Sequence, residues 1–196
     1  MCPPDLSALI GSRICHDIIS PLGAIGNGVE LLALSNAAPT EEMALIHQSV
    51  ANANAKVQLF RIAFGTANAG QTVGATEMAG VLTAYFTDGR TRSDYLVTDT
   101  VPRPEAKAAL LAALCLHSAL PSGGRIELRR TGVRWALAAQ GMVHVDAGLW
   151  AALDHGQPMP DLSAATVHFA LLPQALAALD RRAKFSRGDD RLLLEF

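Results

Sequence analysis

The sequence has little charge and no excess of basic residues. Only 17% of its 196 residues are Asp, Glu, Lys or Arg, against about 25% in an average globular chain. Sixteen basic and eighteen acidic residues give a formal net charge of -2, which argues against the basic surface typical of nucleic-acid binders. Because 50% of the residues are apolar, the chain can bury a core and is not disordered over most of its length. A chain with so few charges can also cover part of its surface with a second copy of itself.

Cysteine is scarce too. Cys2, Cys15 and Cys115 are an odd set without CxxC spacing, which supports neither a disulfide framework nor a zinc site and fits a reducing compartment. Residues 1–5 lack the basic start of a signal peptide. The longest uncharged apolar stretch, 162–179, is interrupted by polar residues and proline, so we interpret it as a buried soluble segment. We therefore expect a cytoplasmic protein that binds neither membrane nor nucleic acid.

Apolar residues along the first 65 positions recur at alternating spacings of three and four. This period is typical of helices that pack in bundles or coiled coils. Two such apolar seams, separated by residues 34–40, predict two helices that form an antiparallel hairpin over residues 1–70. The first seam is Cys15, Ile18, Leu22, Ile25, Val29 and Leu32, and the second is Met43, Ile46, Val50, Ala53, Val57, Phe60 and Phe64.

A single hairpin leaves both seams partly uncovered. Two hairpins together close a core, so we expect a homodimer with a dimeric four-helix bundle. The alternative is a monomeric bundle completed by helices from later in the chain.

The pattern changes after an uncharged, glycine-containing linker at 65–76. Residues 71–196 mix helical and strand signals, which predicts a two-layer α/β sandwich and an α+β fold class for the whole chain. Helices are expected at 77–87, 104–120 and 165–182, the last broken at Pro173, and strands at 94–98, 125–130, 133–139, 142–145 and 191–196.

The most informative segment surrounds His16. This residue lies one position past the seam residue Cys15, which places it beside the apolar stripe on a face that can meet solvent. Asp17 follows it, and Pro21 comes five residues after it within the same predicted helix. A proline inside a helix costs about 3 kcal/mol and removes a backbone hydrogen bond. A kink beside a reactive residue is one reason to keep it.

Five residues of this segment resemble the dimerisation and phosphoacceptor domain of histidine kinases. The phosphorylated-histidine motif of that family is His, acidic, two variable residues, small polar, Pro, Leu. It is matched by His16, Asp17, Ser20, Pro21 and Leu22. The resemblance implies that His16 is the phosphoacceptor.

The second half resembles the GHKL-type ATP-binding domain of the same kinases, with gaps. A helix followed by a Gly-Gly turn at 123–124 and a strand keeps the layout of that domain. The metal-binding Asn is missing from 108–119, and residues 145–148 do not complete an Asp-x-Gly-x-Gly box. A nucleotide site needs backbone close to the phosphates and an oxygen ligand for Mg²⁺. We therefore expect a degenerate domain without ATP binding or kinase activity.

The whole chain is similar to the ChpT-type histidine phosphotransferases of alphaproteobacteria. The resemblance implies a homodimer that passes phosphoryl groups from the receiver domain of a hybrid histidine kinase to response regulators such as CtrA. It also implies that this chain needs no cofactor, because Mg²⁺ comes with the receiver. Two alternatives remain: a diverged histidine kinase, and an inhibitor that binds receivers or kinases without being phosphorylated.

Residues near His16 on the predicted helix have candidate roles in that reaction. Asp17 can hydrogen-bond one ring nitrogen of His16 and fix the tautomer, or be a plain surface carboxylate. Arg13 can pair with phosphoryl oxygens or with Asp17. Ser20, one turn after His16, is a candidate for contact with the phosphoryl group or the receiver.

Two further residues continue the same helix face. Ala24 and Asn27 are predicted to lie under the docked receiver. This prediction rests on their position along the helix alone.

Overall fold

Two long helices begin the fold. The computed structural model describes residues 5–34, 40–68, 70–86, 90–155 and 162–196. Helix α1 spans Leu6–Leu34 and helix α2 spans Thr40–Ala63. Contacts between Gly28 and Ile46, and between Asp17 and Lys56, show that they run antiparallel. The predicted αα-hairpin is confirmed.

Small residues let the two helices approach closely. A Cβ atom added at Gly28 would lie only 2.6 Å from Cγ1 of Ile46, so this position has no room for a side chain unless Ile46 moves. Pro21 and Ser49 are also buried in the hairpin. Large side chains of both seams, such as Leu22 and Val50, stay exposed on the single chain.

A five-stranded sheet forms the second part of the molecule. Its order is β2-β4-β5-β7-β6; β2 and β4 pair in parallel, and the other neighbours are antiparallel. A separate two-stranded ribbon joins β1 to β3. The elements are β1 Thr72–Val73, α3 Ala75–Tyr85, β2 Thr91–Tyr95, β3 Val101–Pro102, α4 Arg103–Ser118, β4 Gly124–Thr131, β5 Arg134–Gln140, α5 Ala147–His155, a 3-10 turn Ala164–Thr166, α6 Val167–Ala177, β6 Lys184–Arg187 and β7 Arg191–Glu195.

One face of the sheet is apolar and carries the core. Alternate residues of β4, β5 and β7 are buried there, including Ile126, Leu137 and Leu194, as expected for a sheet with one covered face. Helix α4 packs on these strands, and α6 packs on α4. The predicted two-layer α+β architecture is confirmed.

The Gly-Gly turn after α4 depends on glycine. Gly123 has φ +83°, and a Cβ atom there would lie 2.2 Å from the carbonyl oxygen of Arg90. A side chain would therefore meet both an unfavourable backbone conformation and a backbone atom. This requirement explains the turn that the sequence predicted.

The predicted and observed elements differ in several places, and the strand expected at 94–98 lies at Thr91–Tyr95. The strand expected at 142–145 is wrong, because the His144 N–H donates to the carbonyl of Ala119 and the chain then enters α5. Helix α5 and strands β1, β3 and β6 were not predicted. The helix expected at 165–182 ends at Ala177, and Pro173 lies inside α6 without ending it.

The predicted linker at 65–76 is anchored by the start of α4. Arg103 donates to the carbonyls of Arg61 and Thr66, at 2.8 and 3.0 Å, and Lys107 donates to that of Gly65 at 2.8 Å. Burial, together with the charge of Arg103, lowers the pKa of Lys107. One of these bonds satisfies a carbonyl in the last turn of α2, where a helix leaves its carbonyls unpaired, and the other two satisfy carbonyls just after it. The end of α2 is therefore fixed to α4, while the predicted domain boundary at residue 70 stays a prediction.

No helix in the described part of the chain combines the length and apolar character needed to cross a bilayer.

Candidate functional site

His16 projects from α1 into solvent. Its side chain is 85% exposed, and its Nδ1 atom lies 3.0 Å from Oδ1 of Asp17. In the neutral tautomer that carries its proton on Nδ1, the ring donates this hydrogen bond to the carboxylate and Nε2 is the unprotonated nitrogen. The neighbouring residues therefore orient the ring without covering it.

Asp17 is shared between two partners. Its Oδ2 atom accepts a hydrogen bond from Nε of Arg13 at 2.7 Å, one helical turn before it, while Oδ1 faces His16. The side chains of Arg13 and Asp17 are only 18% and 13% exposed. Of the two arrangements considered for Arg13, the structure shows the ion pair with Asp17.

Arg13 also reaches beyond the hairpin. Its Nη1 atom donates to the carbonyl of Ala165 at 2.8 Å. The 3-10 turn that contains Ala165 packs against α1. The chain of contacts from Ala165 through Arg13 and Asp17 to His16 thus begins in the α/β part of the molecule.

A groove of about 470 Å³ lies beside this chain of contacts, between the hairpin and helices α3 and α4. Of the predicted site residues, Arg13, Asp17, Ser20 and Ala24 line it. His16 and Asn27 are both exposed on α1 and are not among its lining residues. The groove can admit part of a partner next to the exposed imidazole.

Lys56 is a site residue that sequence reasoning missed. It extends from α2 and donates from Nζ to the backbone carbonyl of Asp17 at 3.0 Å, and it lines the groove. The only signal in the sequence is indirect: Pro21 lacks the N–H that would serve this carbonyl in a regular helix. Nothing in that signal identifies the replacing donor.

The described residues contain no group of three or more metal-ligating side chains. Helix α4 turns mainly Ala and Leu side chains into the core. Asp146, in the segment compared with a nucleotide-binding box, caps α5 instead: its Oδ1 accepts from the backbone N–H groups of Gly148 and Leu149 at 3.0 and 3.1 Å. In this segment the carboxylate serves the helix terminus.

The fold and site together define a histidine-bearing helical hairpin joined to an α/β domain. A family model described as the histidine phosphotransferase C-terminal domain matches residues 75–191. The chain belongs to this histidine phosphotransferase family.

Two similar proteins support the assignment. Over 130 residues, the chain is 42% identical to the protein phosphotransferase ChpT of Brucella abortus (strain 2308); the match covers 65% of this chain and 62% of that relative. A solved structure of a bacterial phosphotransferase at 1.7 Å superposes with a TM-score of 0.81 and 29% identity, covering 100% of this chain and 97% of the other. The resemblance predicted from the sequence is confirmed.

Proposed function

We propose that His16 carries a phosphoryl group between aspartates of two partner proteins. The donor is the receiver domain of a hybrid histidine kinase, and the acceptors are response regulators of the CtrA kind. The main supporting observation is the geometry of His16: its ring is 85% exposed and Asp17 holds Nδ1, which directs Nε2 outward. Membership of the phosphotransferase family supports the same reaction.

The proposed reaction has two steps with the same geometry. The lone pair of Nε2 attacks the phosphorus of the donor aspartyl-phosphate, the P–O bond to that aspartate breaks, and its carboxylate leaves. The N–P bond then breaks when a carboxylate oxygen of the second aspartate attacks the phosphorus. Phosphoryl transfer asks little covalent chemistry of the protein beyond a nucleophile and its position. This chain supplies both, and each receiver supplies its own Mg²⁺.

Asp17 has a defined part in both steps. The ring gains positive character when Nε2 binds phosphorus, and a carboxylate on Nδ1–H stabilises that charge. Arg13 holds Asp17 from the other side at 2.7 Å. Ser20 and Ala24 border the groove beside the site, and together with the exposed Asn27 they form the proposed docking face for the receiver.

The hairpin face is proposed as the surface of a homodimer. Leu22, Val29, Val50 and Val57 lie in the two seams and are 41 to 56% exposed on the single chain. Monomeric proteins rarely leave a long contiguous apolar strip in water. Pairing two hairpins into a four-helix bundle buries these side chains.

The phosphoryl group is proposed to come from a receiver rather than from ATP, in the cytoplasm. The sequence lacks the Asn and the glycine boxes of the related kinases, and Asp146 caps a helix. The two cysteines that the structure describes, Cys15 and Cys115, are both free, which fits a reducing compartment.

Radiolabel transfer tests the proposed function. A receiver domain carrying labelled phosphate is mixed with the purified protein, and the label should move to the protein within seconds to minutes. His16→Ala should abolish the transfer, whereas His47→Ala, which replaces another exposed histidine of the hairpin, should retain it. Labelling from ATP alone would show a kinase instead. Binding of the receiver without any label transfer would favour an inhibitor.

A further inference from the structure

Pro21 leaves a gap in the hydrogen bonding of α1 next to His16. In an α-helix the N–H of each residue donates to the carbonyl four positions earlier. Proline has no N–H, and its ring pushes against that carbonyl. In α1 the affected carbonyl belongs to Asp17, yet the helix continues from Leu6 to Leu34.

The second helix fills this gap. Nζ of Lys56 lies 3.0 Å from the carbonyl oxygen of Asp17, although the two residues are 39 positions apart. The contact is partly buried, where an unpaired carbonyl is costly. Lys56 therefore supplies from α2 the donor that Pro21 cannot supply from α1.

The consequence for the reactive histidine follows from Asp17. The carbonyl of this residue accepts from Lys56, and its carboxylate accepts from Arg13 and faces Nδ1 of His16. When the backbone of Asp17 is held in place, the starting point of its side chain is held too, and with it the carboxylate that orients the His16 ring. An error of about 1 Å in such a position can cost up to 100-fold in rate.

The charge of Lys56 suits the same place. Its hydrogen-bond acceptor is a neutral carbonyl, and within the described ranges no carboxylate forms an ion pair with it. Arg13, in contrast, shares the charge of Asp17. The groove lined by these three residues thus has a net positive character beside His16, which complements an incoming phosphoryl group.

We propose that Lys56 is a positioning residue for phosphoryl transfer: it replaces the backbone donor lost at Pro21 and thereby holds Asp17 and the ring of His16 in the reactive orientation. This inference rests on the proposed role of His16 as phosphoacceptor. It also assigns a part in the site to the second helix of the hairpin.

A double-mutant cycle tests this role. Lys56→Met keeps the apolar stem and removes the donor, and it should slow transfer from a labelled receiver by about tenfold. Pro21→Ala restores the N–H that serves the Asp17 carbonyl within α1. In that background Lys56→Met should slow transfer by less than about threefold, because the carbonyl no longer depends on Lys56.

A second readout does not depend on phosphoryl transfer. The ¹⁵N resonance of His16 Nδ1 reports its hydrogen bond to Asp17, and Lys56→Met should shift it while Lys56→Arg, which keeps a donor and the charge, leaves it near the wild-type position. Gln58→Met, an exposed position of the same helix, is the matched control and should leave rate and resonance unchanged.

The outcomes separate the two proposals. If the wild-type protein takes no label from any receiver, the proposed function fails, while the resonance shift still tests the role of Lys56. An unchanged resonance in Lys56→Met overturns the positioning role. The positioning role is also overturned if Lys56→Met slows transfer equally in the wild-type and Pro21→Ala backgrounds. Lys56 would then act on transfer independently of the Asp17 carbonyl.

Discussion

Nη1 of Arg13 lies 2.8 Å from the backbone carbonyl oxygen of Ala165, although 152 positions separate the two residues. The same guanidinium holds Asp17 through Nε at 2.7 Å. One side chain therefore connects the orientation of His16 to the α/β part of the molecule. Arginine suits this position because its planar group presents several donors in fixed directions.

Replacing Arg13 should weaken both connections. Arg13→Met should slow label transfer from a phosphorylated receiver about tenfold, since Asp17 loses its partner, and should lower the free energy of unfolding by about 1–2 kcal/mol. Arg13→Lys keeps the charge but not the fork of donors, so its transfer rate should lie between those of the wild type and Arg13→Met. Single-turnover labelling and urea unfolding measure the effects. Wild-type rates in Arg13→Met would show that Asp17 orients His16 unaided.

The exposed apolar face of the hairpin predicts a dimer, and a single charged residue introduced into that face should disrupt it. Val50 is 41% exposed on the single chain, so Val50→Glu should cost little in a monomer but should place an unpaired charge inside a four-helix bundle. Sedimentation should show a dimer for the wild type and a monomer for the variant. Met142→Glu, at a residue that is 74% exposed and lies outside the two hairpin helices, should leave the dimer intact. A monomeric wild-type protein would contradict the prediction.

Glu105 makes a buried polar connection between α4 and the sheet. It is 5% exposed and accepts from Nε1 of Trp135 at 2.8 Å, from Arg130 at 3.0 Å and from Arg181 at 3.3 Å. Burial by itself would raise its pKa, but the bonds from Trp135 and Arg130 and the two positive charges outweigh burial, and the pKa is lowered. Glu105→Ala leaves these partners without an acceptor and should lower the free energy of unfolding by about 3–5 kcal/mol.

Urea unfolding at neutral pH measures this loss. Glu77→Ala is the control, because Glu77 forms an exposed ion pair with Arg61 at 2.9 Å, and such pairs contribute about 0–1 kcal/mol. Equal losses in the two variants would show that the buried contacts of Glu105 contribute no more than a surface pair.

The parts of the structure that local sequence could predict are those set by neighbouring residues. The spacing of three and four in the seams defines a helix face, so the hairpin followed directly from the pattern. The pair of His16 and Asp17 is adjacent in the chain. The strand prediction for 142–145 was wrong. The apolar residues of this segment resemble a strand, but the cap formed by Asp146 starts α5 directly after it.

The contacts between distant residues could not be read in the same way. Pro21 indicates that the carbonyl of Asp17 loses its donor, but any long polar side chain could replace it. Only the packing of α2 on α1 selects Lys56, and only the packing of the 3-10 turn on α1 brings Ala165 to Arg13. Such partners depend on tertiary structure, and no local spacing of residues in the sequence indicates them.

His168 should make the fold sensitive to mild acid. The side chain is 2% exposed, its Nε2 lies 3.0 Å from Oγ of Ser118, and burial, aided by the charges of Arg13 and His117, lowers its pKa to about 3. In the unfolded chain a histidine titrates near about 6.5. Between these two pKa values the histidine is protonated in the unfolded state but not in the native state. The free energy of unfolding therefore falls as the pH is lowered from about 6.5 towards 3. Above about pH 6.5 this residue does not change the stability.

One such group contributes a slope of about 1.4 kcal/mol per pH unit. His168→Asn, which can keep a bond to Ser118, should therefore flatten the dependence of the free energy of unfolding on pH between about pH 6 and 5. The control is His47→Asn, at an exposed position of the hairpin, and it should keep the wild-type slope. Urea unfolding across this range measures all three proteins. Parallel curves for the wild type and His168→Asn would show that the buried imidazole accepts its proton in the native state.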